Sequence, residues 1–89
     1  MKAVISVTGT DNIGIIAAVS NACADYGVNI SDISQTILDK YFAMIMIVDI
    51  DKINVPFNDF VDSMAALGKK RGLEIHTMHE DIFNSMHQI

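Results

Sequence analysis

The sequence predicts an α+β sandwich: an antiparallel four-stranded sheet with two helices on one face, in the order βαββαβ, followed by a short terminal helix. Three observations carry this. Two segments have apolar residues at helical spacing, and a glycine closes each one. Strand-like segments flank both of them. The third strand-like segment is apolar on both faces, which agrees with a central place in a sheet covered on both sides.

Residues 2–8 form the first strand, since Ala3, Ile5 and Val7 alternate with Lys2, Ser6 and Thr8, interrupted only by Val4. Residues 9–12 (GTDN) are a loop, and Thr10 or Asp11 suits the N-cap of the helix that follows. That helix covers residues 13–26, with Ile15, Ile16, Val19, Ala22, Cys23 and Tyr26 on its apolar stripe. Gly27 then Val28 suit a left-handed glycine stop with an apolar contact back to Cys23.

Residues 29–38 form the second strand. The step from Ile30 to Ile33 is odd, so alternation fails there; a bulge or a late start restores parity and sets Ile33, Gln35 and Ile37 on one face. Asp39 and Lys40 turn the chain into the third strand, residues 41–50. Phe42, Met44, Met46 and Val48 point one way, while Tyr41, Ala43, Ile45 and Ile47 point the other.

Pro56 suits the first position of the second helix, whose stripe is Phe57, Phe60, Val61, Met64 and Leu67. Asp59 and Asp62 early and Lys69, Lys70 and Arg71 late match the helix dipole. Gly72 ends it. Residues 73–79 are the fourth strand, and residues 81–89 place Ile82, Phe83, Met86 and Ile89 at helical spacing. Right-handed crossovers turn this order into a ferredoxin-like arrangement over residues 1–80, with a terminal amphipathic extension over residues 81–89. The two helices cover one face of the sheet; the other needs the terminal helix, a second subunit, or both.

The chain has 89 residues, 51% of them hydrophobic, and a net charge of −5. That is one domain, apolar enough to suggest a buried partner surface besides its core. The acidic balance excludes a basic nucleic-acid footprint. The lone Cys23 suits a small core residue and a reducing compartment. Lys2 leads into a short alternating segment instead of a signal peptide, and the apolar run over residues 41–48 is too short to span a bilayer as a helix. A cytoplasmic protein, without membrane or nucleic-acid partners, is the expectation.

The most informative segment is residues 8–35, TGTDNIGIIAAVSNACADYGVNISDISQ. Its loop feeds a helix N-terminus, whose unpaired N–H groups and dipole favour a carboxylate or other anion. Asp11, Asn12, Ile13 and Gly14 form that turn. Asn29, a few residues past the helix, is expected to return close to it. No cofactor or metal is indicated. His76, His79 and Glu80 lack metal-ligand spacing, since residues three apart on a strand face opposite ways. Lys69, Lys70 and Arg71 read as a solvated helix end. The pair Tyr41 and Phe42 lacks the glycine-aromatic context of an RNA-stacking platform. Met44, Met46 and Met64 fit the core, and Met78 and Met86 fit an interface. No nucleophile is paired with a base at recognisable spacing. An acylphosphatase-like hydrolase of this fold needs an arginine beside the loop, and Arg71, the only arginine, sits at the far end of the second helix.

The turn D-x-x-G at residues 11–14, the apolar helix, G-x-N-I at residues 27–30 and I-x-Q at residues 33–35 resemble an ACT domain. The likeness is to stand-alone bacterial single-ACT-domain proteins and to the ACT domains of the glycine-cleavage-system repressor. The resemblance implies a regulatory module that binds an amino acid where subunits meet, between the first loop and helix and the start of the second strand. Asn12, Ile13, Gly14, Asn29 and Ile30 are the site residues it implies, with a homodimer or larger assembly and a regulated protein partner. Many relatives carry proline where this chain has Ile13, so its loop is expected to be less rigid. The rival from another class is a ligand-free interaction module that docks a partner on the apolar sheet face.

Overall fold

The chain runs β1 (Lys2–Gly9), α1 (Ile15–Asp25), β2 (Asn29–Leu38), β3 (Tyr41–Asp49), α2 (Phe57–Arg71), β4 (Glu74–His79) and α3 (Glu80–Met86). The computed structural model describes residues 1–10 and 13–86, for Met86 the backbone alone. The sheet is antiparallel, in the order β2-β3-β1-β4. This is the ferredoxin-like βαββαβ arrangement with a terminal helix, and β1 and β3 are its central strands.

Alternation along β1 and β3 places the core. Ala3, Ile5 and Val7 stand opposite Val48, Met46 and Met44. With Ile15, Val19 and Cys23 of α1, Phe60 and Met64 of α2 and Ile75 of β4, they form one buried cluster. Met44, Met46 and Met64 are core residues, as the stripes require. The ring of Tyr26 meets Phe60 edge-on at 5.6 Å, and its hydroxyl lies 3.0 Å from Ser63 Oγ, joining α1 to α2. The expected bulge lies in β2. Ile30 pairs with Val48 and Asp32 with Ile47, so Ser31 is the extra residue. Ile33, Gln35 and Ile37 then share a face with Met46, Met44 and Phe42.

Both helices end as their glycines require. Gly27 has φ 72°; its N–H donates to Ala24 and that of Val28 to Cys23, at 3.1 and 2.8 Å. A Cβ on Gly27 would sit 2.5 Å from the carbonyl oxygen of Lys52, so the backbone of the β3–α2 connection approaches too closely for a side chain. Gly72, also at φ 72°, ends α2, and Leu73 N–H donates to Gly68 at 2.8 Å.

The other face of the sheet is covered in part. Val4 points away from the main cluster yet is only 3% exposed. α1 and α2 occupy the first face, and α3 packs against β1 and β4. The β2–β3 half has no such cover among the described residues, and Leu38, Tyr41 and Ile45 remain 73%, 55% and 45% exposed.

Element limits differ from expectation in small ways. α1 starts at Ile15, with Gly14 instead of Thr10 or Asp11 as its N-cap. Pro56 is the cap of α2 and not its first residue. β4 begins at Glu74, and α3 at Glu80. The expected continuation of the terminal helix through Ile89 falls outside the described residues.

Candidate functional site

β1 delivers the chain through Gly9 and Thr10 into the loop. Asp11 and Asn12 lie outside the described residues. Ile13 is 82% exposed. Gly14 adopts φ 71°, ψ 7°, and its carbonyl accepts the first helical hydrogen bond, from Ala18 N–H at 3.0 Å. A left-handed residue at this corner favours glycine, since a Cβ is strained there. Among the described residues no side chain caps α1, and its first turn carries no acid. Its leading N–H groups, which no helical carbonyl can accept, are left for the loop or a ligand.

A group the sequence reading placed elsewhere joins this corner. Nη1 of Arg71 lies 3.8 Å from where a Cβ on Gly14 would stand. The far end of α2 is therefore the near end of the site, and distance from the loop no longer separates Arg71 from the arginine that an acylphosphatase-like hydrolase needs. β1 leads up into α1 and β4 leaves from the same level, so the end of α2 meets the start of α1. Helix N-terminus and guanidinium together form a local cationic spot in a chain of net charge −5. The antiparallel helix arrangement could have signalled this, had it been applied to Arg71.

Asn29 does not return to the loop. It stands opposite Asp49, which stands opposite Lys2, whereas Gly9 is level with Phe42 and Ile37. Seven strand residues separate the two levels, about 23 Å. α1 accounts for this, because its 11 residues carry the chain about 16 Å away from Gly14. Asn29 is exposed and Ile30 half-buried against the core. With Gly27, Asp49, Asp51 and Lys52, Asn29 lines a cleft of about 370 Å³. Asn54 secures that end: its N–H donates to the Tyr26 carbonyl and its Nδ2 to that of Asp25, each at 3.0 Å. The candidate residues thus form two half-sites in one protomer, a cationic one at the start of α1 and one at the start of β2, where Asp49 stands beside Lys52 and Asp51 is paired to the N-terminal ammonium.

The remaining candidates fall where alternation puts them. His76 lies 3.3 Å from Glu74 on the open face, whereas His79 stacks on Phe57 at 4.4 Å. Among the described residues no three of His, Cys, Asp and Glu come together to hold a metal ion. Burial pushes the Cys23 thiol up to about 11. No helix among the described residues is long and apolar enough to cross a membrane.

The fold is that of a family of small regulatory ligand-binding domains. A family model for the ACT domain matches residues 2–76, and the chain belongs to that family. It is 45% identical over 89 residues to a UPF0237 protein of Listeria monocytogenes, covering 100% of both chains. The solved structure of an ACT domain protein from Streptococcus pneumoniae superposes with a TM-score of 0.82 at 41% identity, covering 93% of each chain. A putative glycine cleavage system transcriptional repressor superposes with a TM-score of 0.68 at 27% identity, over 85% of this chain and 43% of that one. Both likenesses are those the opening segment suggested.

Proposed function

We propose that this chain is a non-enzymatic regulatory module of the cytoplasm that binds an amino acid between two copies of itself. One observation carries this reading. The two half-sites, one with Arg71 at the α1 start and one with the Asp49 carboxylate at the β2 start, lie at opposite ends of one protomer, too far apart for one small ligand. A two-fold partner running antiparallel sets the α1 start of one copy beside the β2 start of the other, twice. β2 is an edge strand of ten residues, suited to pairing with its own copy in that sense. The ligand's carboxylate then meets the N–H groups beside Gly14 and Arg71. Its ammonium meets Asn29 and Asp49 of the other copy. The residues assigned to binding are Asp11, Asn12, Ile13, Gly14, Asn29 and Ile30, and the bound state is read out by a separate protein.

A calorimetric and thermal-shift screen against the common amino acids tests this. An amino acid held by the native state alone adds about 2.7 kcal/mol of stability at 100 times its Kd. Arg71→Gln is expected to weaken that amino acid about tenfold, the size of one charge-assisted hydrogen bond. Gly14→Val is expected to abolish binding. Unchanged affinity in a folded Gly14→Val protein overturns the site. The exposed apolar residues of the β2–β3 half supply the observation behind a second reading, a ligand-free docking module. A screen without a binder favours that one.

A further inference from the structure

A second cleft, of about 740 Å³, opens where β1 and β2 end and β3 and β4 begin, beneath the end of α2. That is within the range of small-molecule sites. Leu38, Tyr41, Ala43 and Leu73 supply its apolar walls. Gly9 keeps its floor open to Leu73, whose Cδ2 would be 2.4 Å from a Cβ on Gly9. Among the described residues, two charged ones stand on the rim. Glu74 lies 3.3 Å from His76 Nε2, and Lys69 makes no ion pair among the described residues. Apolar walls beside an unpaired cation complement a molecule with an apolar body and one carboxylate. In a chain this acidic, only such a local cation draws an anion in.

We infer that this cleft binds a small carboxylate with an apolar body, on walls that one protomer supplies and that share no described residue with the half-sites lined by Gly14 and Asn29. The ligand's body lies on Tyr41, Ala43 and Leu73, and its carboxylate meets the Lys69 ammonium. Two sources share this chemistry, simple carboxylic acids and apolar amino acids.

The experiment is titration of the full chain with 3-phenylpropanoate and 4-methylpentanoate, with phenylalanine and leucine as the amino-bearing arm and 3-phenylpropanamide as the uncharged control. Calorimetry gives affinity. Tyrosine fluorescence reports the cleft, because the chain has no Trp and Tyr41 lines the wall. Saturable binding is expected for at least one carboxylate arm, with the amide much weaker. Ala43→Phe, which fills the cleft from an exposed strand position, and Lys69→Gln are each expected to weaken binding by about tenfold or more. Gly14→Val is expected to leave unchanged the binding of 3-phenylpropanoate and 4-methylpentanoate, which lack the amino group that the loop site takes. Both variants are checked for native circular dichroism, and either one alone suffices. Binding of only one arm, or of both, supports the cleft and names its source. No saturable binding in either arm overturns it, as does an amide that binds equally well. Binding lost in Gly14→Val but intact in Ala43→Phe also overturns the cleft, while leaving the amino-acid reading of the loop in place.

Discussion

Gly27 and Gly72 share a backbone angle, φ 72°, but differ in their neighbours. A Cβ on Gly27 would collide with the Lys52 carbonyl at 2.5 Å; one on Gly72 meets nothing within 4 Å. Gly72→Ala therefore bears only the left-handed cost, about 1 kcal/mol. Gly27→Ala adds a backbone displacement and is expected to lose at least about 2 kcal/mol in urea unfolding. Equal losses would show that the close approach to Lys52 carries no weight. Cys23 is a packing residue of the same region. Its thiol rises from 9.0 unfolded to about 11 folded, because burial disfavours the thiolate. The sign follows: stability from the neutral thiol is complete below pH 9 and is lost as pH rises toward about 11. Cys23→Ala is expected to cost about 1 kcal/mol at neutral pH and to flatten that alkaline decline. Alkylation of the native thiol at pH 8 should be slow, and fast labelling would contradict its burial.

At the scale of elements, β2 and α3 are the two whose surfaces remain unfinished. β2 lies at the sheet edge, with Ile37 and Leu38 62% and 73% exposed at its end. A lysine on an edge strand opposes pairing with another edge. Ile37→Lys is therefore expected to shift the protein to monomer in sedimentation velocity, with its far-ultraviolet spectrum unchanged. A dimer of unaltered affinity would place the interface elsewhere. α3 closes the β1–β4 half of the open face over Val4. Removing residues 81–89 should leave the βαββαβ core folding cooperatively and make it bind an apolar dye. Unchanged dye binding would mean that Val4 is covered by something other than α3.

For the molecule as a whole, the balance of core and surface decides assembly. A chain of 89 residues with 51% hydrophobic composition fills one core and still leaves the β2–β3 half of its open face apolar. Half-sites at opposite ends of the sheet come together when two copies pair antiparallel. Sedimentation equilibrium is expected to give a dimer or larger at micromolar concentration, and bound amino acid should tighten it, because such a ligand contacts both copies. A monodisperse monomer at high micromolar concentration would remove the interface on which the proposed site depends.

Much of the fold was legible because it is encoded over a few neighbouring residues. The odd step between Ile30 and Ile33 foretold the bulge at Ser31, since side-chain direction alternates strictly along a strand. Gly27 and Gly72 marked both helix ends through their tolerance of positive φ. The two-faced pattern of residues 41–48 agrees with the central place of β3. The site was legible only in part. Its loop, helix start and family likeness lie in one segment, but the distance from Gly14 to Asn29 depends on the length of α1 and on strand register. Arg71 reaches Gly14 from 57 positions away because the helices pack antiparallel on one face. Local patterns specify which elements form and which side of each is apolar. Which remote ends meet is decided by layer packing and strand order, and so tertiary structure alone separated Asn29 from the loop and brought Arg71 to it.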